Sequence, residues 1–395
     1  MGYLHRFALS LATVGLASSP LLSIDVASAA NFNAADSQAG IVQSTEIAER
    51  QTLLVAQSSS DSLSDQQKEQ LANLLTDAQK KIDSGDYAGA IALYQQALQI
   101  DRSNIRLYSG IAYLHVKQRN FDAAAEYYRQ ALERDPRNLP FHYGLAHSLF
   151  MDERYEQSAA AYRDLIDIAP RAADAFVGLG GSLLRLEDFD EARSAYEQAV
   201  SIAPDNAQAY EAIGLLYMAQ ENYDAALAPL QRALSLDANR SSVHANLAKI
   251  WLLQGNESRA LESLQNAVRL NVNDADSQYR LGEILRGRGD ESAALNHFEQ
   301  AAEFDAELLP AQAALGEMLL ARGQYLRAVV AYRRLVRAFP EDPGIRYNLG
   351  LALWGQGNSR AAIESLERSH QLYQAQSDDS GAQRAIALLE IWRNN

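Results

Sequence analysis

Residues 105–138 run IRLYSGIAYLHVKQRNFDAAAEYYRQALERDPRN, and the next 34, residues 139–172, run LPFHYGLAHSLFMDERYEQSAAAYRDLIDIAPRA. Laid one above the other, the two stretches place Ala112 over Ala146, Ala124 over Ser158, Tyr128 over Tyr162 and Pro136 over Pro170. The same 34-residue offset carries on in both directions without insertion or deletion from about Leu71 to Gln374, which makes nine repeats. One small row is Ala78, Ala112, Ala146, Gly180, Gly214, Ala248, Gly282, Gly316 and Gly350. A second, twelve residues on, runs from Ala90 to Ala362, and four residues later comes a bulky row: Tyr94, Tyr128, Tyr162, Tyr196, Leu230, Leu264, Phe298, Tyr332 and Leu366. Spacings of three and four put the second small row and the bulky row on one helical face. A fixed period of this length marks a solenoid, in which each repeat buries its apolar face on its neighbours.

The turns carry their own signals. Gly85-Asp86-Tyr87, Arg119-Asn120-Phe121, Glu187-Asp188-Phe189 and Glu221-Asn222-Tyr223 offer an Asp or Asn as N-cap of the second helix of each repeat. Pro136, Pro170, Pro204 and Pro340 end second helices, since proline cannot continue one. Arg102, Ala238, Val272, Ala306 and Gln374 stand in place of that proline, and Glu257, Glu291 and Ser359 in place of the turn aromatic, so the later repeats are expected to be looser. Pro229, midway along the second helix of the fifth repeat, is expected to remove the bond to the Ala225 carbonyl and bend that helix.

Tyr108, Ile111, Ala112, Phe121, Ala124, Tyr128, Ala131 and Pro136 fill the pattern of the tetratricopeptide repeat, which this sequence closely resembles. The resemblance implies an all-α fold, a right-handed superhelical solenoid of antiparallel helix pairs. It also implies that the first helix of each repeat lines a concave groove where partners bind.

Across the second to fifth repeats the groove positions hold Tyr113, Val116, Tyr143, His147, Phe150, Met151, Leu184, Leu215 and Met218, with Gly110, Gly144, Gly178 and Ala212 beside them. Small residues next to large ones suggest an apolar trough with aromatic walls, suited to an apolar or amphipathic protein or peptide segment. Tyr143 and Phe150 are expected to face this trough, so that replacing them weakens binding and spares the fold. Farther along, the groove turns polar with Asn246, Lys249, Arg280, Glu283, Arg286 and Glu317. Some members of the family hold a C-terminal carboxylate with Lys, Asn and Arg in three consecutive repeats. Leu75, Gln79, Gly110, Pro140 and Gly144 occupy those positions here, so that clamp is missing in the first three repeats. An asparagine ladder is missing too, since only Asn246 and Asn348 lie on that row.

Nothing in the chain has the spacing of a catalytic or metal centre. His142 and His147 are five apart, the remaining histidines sit in separate repeats, and Gly178-Leu179-Gly180-Gly181 lies inside a helical pattern with no preceding strand. Neither enzymatic activity nor a cofactor or metal is expected. With 50 acidic and 35 basic residues and a net charge of −15, the chain is a poor match for nucleic acid.

The expected organisation is a signal peptide over 1–30, a flexible leader over 31–63, the solenoid over 64–376 as one domain, and a C-terminal capping helix over 377–395. His5 and Arg6 precede an uncharged stretch from Phe7 to Ile24, and Ala27-Ser28-Ala29 supplies a cleavage pattern, with cleavage after Ala29 or Ala30. The expected location is the periplasm or another extracytoplasmic compartment, with no lipid binding after cleavage; retention of the stretch as an N-terminal membrane anchor is the alternative. The complete absence of cysteine excludes disulfides and lipid attachment at a thiol. Leu53, Leu54 and Val55 form a short apolar cluster in the leader, Ser64 and Gln67 a capping box, and Ala385, Leu388, Leu389 and Trp392 one face of the last helix. The expected function is an exported, non-catalytic scaffold in the assembly of an envelope complex. The alternative is an accessory subunit of a polysaccharide synthesis or export system whose catalytic site is on another chain.

Overall fold

The computed structural model describes residues 63–394; the signal peptide, its cleavage site and the Leu53–Val55 cluster lie outside them. Among the described residues there are nineteen helices and no strand. They fall into two compact units, 63–239 and 240–394, and the division lies between the fifth and sixth repeats.

The first unit holds α1 (Asp65–Asp83), α2 (Tyr87–Ile100), α3 (Ile105–Lys117), α4 (Phe121–Leu132), α5 (Leu139–Met151), α6 (Tyr155–Ile168), α7 (Ala173–Arg185), α8 (Phe189–Ile202), α9 (Ala207–Ala219) and α10 (Tyr223–Leu236). The second holds α11 (Ser241–Leu253), α12 (Glu257–Leu270), α13 (Ala275–Gly287), α14 (Glu291–Phe304), α15 (Leu309–Ala321), α16 (Tyr325–Ala338), α17 (Pro343–Gly355), α18 (Ser359–Ala375) and α19 (Asp379–Arg393). Odd-numbered helices from α1 to α17 are the first helices of repeats, and each packs on the even-numbered helix that follows. Pro229 stands inside α10, which is assigned as one helix from Tyr223 to Leu236.

The turn inside each repeat is built the same way nine times. One residue adopts left-handed backbone: Gly85, Arg119, Glu153, Glu187, Glu221, Gly255, Gly289, Gly323 and Gly357, with φ between 57° and 88°. The next amide returns to a carbonyl five residues back, as from Asn120 to His115 (2.9 Å) and from Asp290 to Leu285 (2.9 Å), which satisfies the end of the first helix. The side chain of that same residue then caps the second helix: Asp86, Asn120, Asp188, Asn222, Asn256, Asp290 and Asn358 each accept from the amide three residues on. Arg154 and Gln324 make no such bond. Glycine holds the left-handed position in repeats six to nine, whereas repeats two to five place Arg or Glu in a region that disfavours a β-carbon.

The missing prolines have a replacement. Where Arg102, Ala238, Val272 and Ala306 stand, the preceding Asp101, Asp237, Asn271 and Asp305 accept from the amide two residues on, at 3.1, 3.0, 3.2 and 2.9 Å. These Asx turns close the same helix ends that proline closes elsewhere. α12 and α14 are therefore 14 residues long, as are α8 and α16. Only at Gln374 does the helix run on, so that α18 reaches 17 residues.

The bulky row is the core: Tyr162, Tyr196, Leu230, Leu264, Phe298 and Leu366 are wholly buried. Two kinds of seat receive these side chains. A β-carbon at Gly180, Gly214 or Gly282 would come within 3.0 Å of Tyr196, Leu230 or Phe298 of the same repeat. One at Gly144 or Gly178 would likewise collide with Tyr128 or Tyr162 of the preceding repeat. The tyrosine rings thus reach under the first helix of the next repeat and fix the stacking distance.

The array begins with a long helix and ends with an added one. α1 runs for 19 residues, with the Ser64 hydroxyl accepting from the Gln67 amide (3.3 Å) and the Gln67 side chain accepting from the Ser64 amide (3.0 Å). α19 buries Ala385, Leu389 and Trp392 and leaves Leu388 half-buried. Trp392 stacks on Trp354 of the last repeat, 4.5 Å between ring centroids and 3° between planes.

Candidate functional site

The first-helix wall differs between the two units. In the first, α3, α5, α7 and α9 pack directly on one another. Six of the nine residues expected to line an open trough are consequently buried: Tyr113, His147, Phe150, Leu184, Leu215 and Met218 retain 3–9% of their surface. Val116, Tyr143 and Met151 are half-buried. The space expected at Gly144 and Gly178 is filled from below by the rings of Tyr128 and Tyr162. The Phe150 ring lies 3.8 Å from where a β-carbon on Gly181 would stand and meets Tyr155 edge-on, 5.4 Å between centroids. Burial, with the Asp174 carboxylate nearby, pushes the Tyr143 hydroxyl up to about 12. These side chains join one repeat to the next, and the wall in this unit is a closed apolar seam.

His147 belongs to that seam, and burial pulls its imidazole down to about 4, against an ordinary 6.5. A native state that refuses a proton the unfolded chain accepts loses stability as the pH falls. The loss begins below the unfolded value of 6.5 and is complete near pH 4. About 3 kcal/mol is expected from this group alone, at about 1.4 kcal/mol per pH unit. Burial also lowers His115 and His297, which act in the same direction. Urea unfolding at pH 7 and pH 4.5 checks this: His147→Gln should show a smaller difference between the two than the parent chain does.

In the second unit the corresponding positions are open and charged. Lys249 on α11, Asp276, Arg280, Glu283 and Arg286 on α13, and Glu317 on α15 keep 19–39% of their side-chain surface. They form two groups. Asp276 takes Arg280 at 2.8 Å and Lys249 at 3.7 Å, which leaves one positive charge in excess. Arg286 is shared by Glu283 at 2.9 Å and Glu317 at 3.2 Å, which leaves one negative charge in excess. Burial alone would raise Asp276, but Arg280 and Lys249 outweigh it and hold the carboxyl below the usual range. Around Arg286 the balance reverses: burial raises Glu283 and Glu317 despite the shared guanidinium, and Glu283 raises Glu317 further. The Oε1 atom of Glu283 is buried without a hydrogen-bond partner. The wall is thus a dipolar strip with one cation short at its Glu317 end. Lys249, Arg280, Glu283, Arg286 and Glu317 were legible in the sequence as a polar stretch; the division of the wall into two groups of opposite sign was not.

Among the described residues no group of His, Cys, Asp and Glu side chains has the arrangement of a metal site, and no helix is long and apolar enough to cross a membrane.

A solenoid of helix pairs with this period defines a repeat-scaffold class, and comparison with known proteins gives the family. The tetratricopeptide repeat model matches residues 110–175, 177–243 and 313–379, and two related repeat models match 79–119 and 217–284. The chain belongs to the tetratricopeptide repeat family. A TPR repeat-containing protein of Picosynechococcus sp. is 40% identical over 65 residues, 16% of this chain and 17% of that protein's length. Among solved structures, a tetratricopeptide repeat protein from Parabacteroides merdae is similar with a TM-score of 0.53 at 16% identity, covering 64% of this chain and 99% of its own. Pseudomonas aeruginosa pilF is similar with a TM-score of 0.47 at 20% identity, covering 57% of this chain and 97% of its own.

Proposed function

We propose that the protein is an exported, non-catalytic scaffold that holds a segment of a partner protein on the first-helix wall of residues 240–394. The segment presents a carboxylate to Lys249 and Arg280 and an ammonium or guanidinium to Glu283 and Glu317. The observation that supports this most is the charge imbalance around Arg286: two half-buried carboxylates share one cation, and one carboxylate oxygen has no donor. A partner's cationic side chain beside Glu317 supplies the positive charge that the pair lacks. Export rests on the leader sequence, Phe7 to Ile24 followed by Ala27-Ser28-Ala29. The partner segment is accordingly amphipathic and charged, and the closed seam of the first unit serves stability.

Affinity capture from a native envelope fraction tests this, with the parent chain and the Glu283→Gln/Glu317→Gln chain as parallel baits. One partner should be recovered with the parent and depleted about tenfold or more with the glutamine pair, the scale of one lost charge-assisted contact. Equal recovery by both baits would exclude this wall.

A further inference from the structure

α16 carries an outer face unlike that of any other second helix in the chain. Leu326 and Val330 are 66% and 51% exposed, and with Arg333 and Arg337 they lie at spacings of four, three and four, so the four side chains form one stripe along the helix. At the register of Leu326 other repeats carry Asp122, Glu156, Asp190 and Asp224, and at that of Val330 they carry Glu126, Glu262 and Glu364. No other second helix places an apolar residue larger than alanine at either register, or arginine at both of the other two. The helix has four arginines and no acidic residue in a chain of net charge −15. Arg327 pairs with Glu299 at 2.9 Å. Arg333, Arg334 and Arg337 make no ion pair among the described residues, and Arg337 only donates to the Arg333 carbonyl (3.4 Å). Beside Leu326 the surface dips into a shallow hollow lined by Gly323, Gln324, Tyr325, Arg327 and Gln356, with room for an apolar side chain.

The helix dipole favours a cation in the last turn, which accounts for Arg337. It accounts for neither the two exposed aliphatic side chains nor Arg333, a turn earlier. We infer that the outer face of α16 is a docking site for an acidic amphipathic helix of a partner protein. Aliphatic side chains of that helix cover Leu326, Val330 and the hollow, and its carboxylates pair with Arg333 and Arg337. Charge complementarity selects this occupant. An anionic membrane fits less well: the opposite side of α16 is committed to the core through Ala328, Val329, Ala331, Tyr332 and Leu335. Two aliphatic side chains give little insertion, and the strongly acidic chain is repelled by anionic lipid. The site uses a different face from the charged first-helix wall and stands or falls separately from it.

Fluorescence anisotropy tests the inference with the full chain and a labelled synthetic helix of about 20 residues, enough to be partly helical alone, with Leu at i and i+4 and Glu at i+7 and i+11. A scrambled peptide of the same composition is the control. Two variants borrow the residues of repeat seven: Leu326→Ser/Val330→Asn and Arg333→Glu/Arg337→Glu. All four side chains point outward, and unchanged thermal unfolding of each variant checks the fold. The ordered peptide should bind at least about tenfold more tightly than the scrambled one, and each double variant should remove that preference. Raising the salt concentration should weaken binding to the parent but not to the arginine variant, in which the facing charges repel. Equal binding of the two peptides, or binding unchanged in both variants, would overturn the inference. So would α16-dependent flotation with phosphatidylglycerol vesicles without peptide binding, or an α16-dependent dimer, since each assigns the face to a different occupant.

Discussion

Phe150→Ala is expected to lower the stability of the chain by about 3–5 kcal/mol, the range for removing a buried aromatic side chain. The ring is 4% exposed and is held between repeats, edge-on to Tyr155 and over Gly181. The cavity left behind lies between α5, α7 and the start of α6, where neither neighbour can collapse without shifting the tyrosine rings beneath. In a solenoid the damage spreads to the adjoining repeats because the coupling runs between neighbours. Urea unfolding followed by circular dichroism measures it; a loss under about 1 kcal/mol would mean that Phe150 lies on an open surface after all. Tyr143→Ala, at a half-buried position, should cost less.

Gly180→Leu is expected to destabilise by about 2–3 kcal/mol through overpacking. A β-carbon at Gly180 would stand within 3.0 Å of the wholly buried Tyr196 ring. The ring cannot retreat, since its far side faces the next repeat. Gly180→Ala should carry the smaller part of that cost, since its β-carbon alone already meets the Tyr196 ring. Denaturant midpoints of the two variants check the contrast. Midpoints equal to the parent's in both variants would show that the crossing at Gly180 is loose enough to take any side chain.

The period, the helix pairing and the Asp or Asn caps were legible in the sequence because each follows from residues close along the chain. Asn120 caps α4 as its position beside Arg119 implies. Two features were not legible. The absence of proline suggested loose later repeats, and how those helices nonetheless close, through Asx turns at Asp237, Asn271 and Asp305, was not read, although the signal stood one residue earlier. The apolar trough failed for a different reason. Gly144 and Gly178 look like open space when a helix is considered by itself, but the rings of Tyr128 and Tyr162, 16 residues upstream, occupy that space. Small residues in a packed helix mark where a neighbour approaches as readily as where a ligand could sit. The charged wall was visible as composition, but its electrostatics depend on pairings such as Arg286 with Glu317, which only the stacking of successive repeats brings together.

Titration of the captured partner's bound segment against three forms of the chain tests the central claim most directly. These are the parent, Glu317→Lys, and Val116→Ser/Met151→Ser, the last altering exposed parts of the first unit's seam. If the charged wall of residues 240–394 holds the segment, Glu317→Lys should weaken binding by about tenfold or more, as reversal of a contacting charge does. Changing the segment's facing cation to Glu should then restore it, and the seam variant should bind like the parent. Loss of binding in the seam variant, with Glu317→Lys unchanged, would contradict the account and place the partner on the first unit.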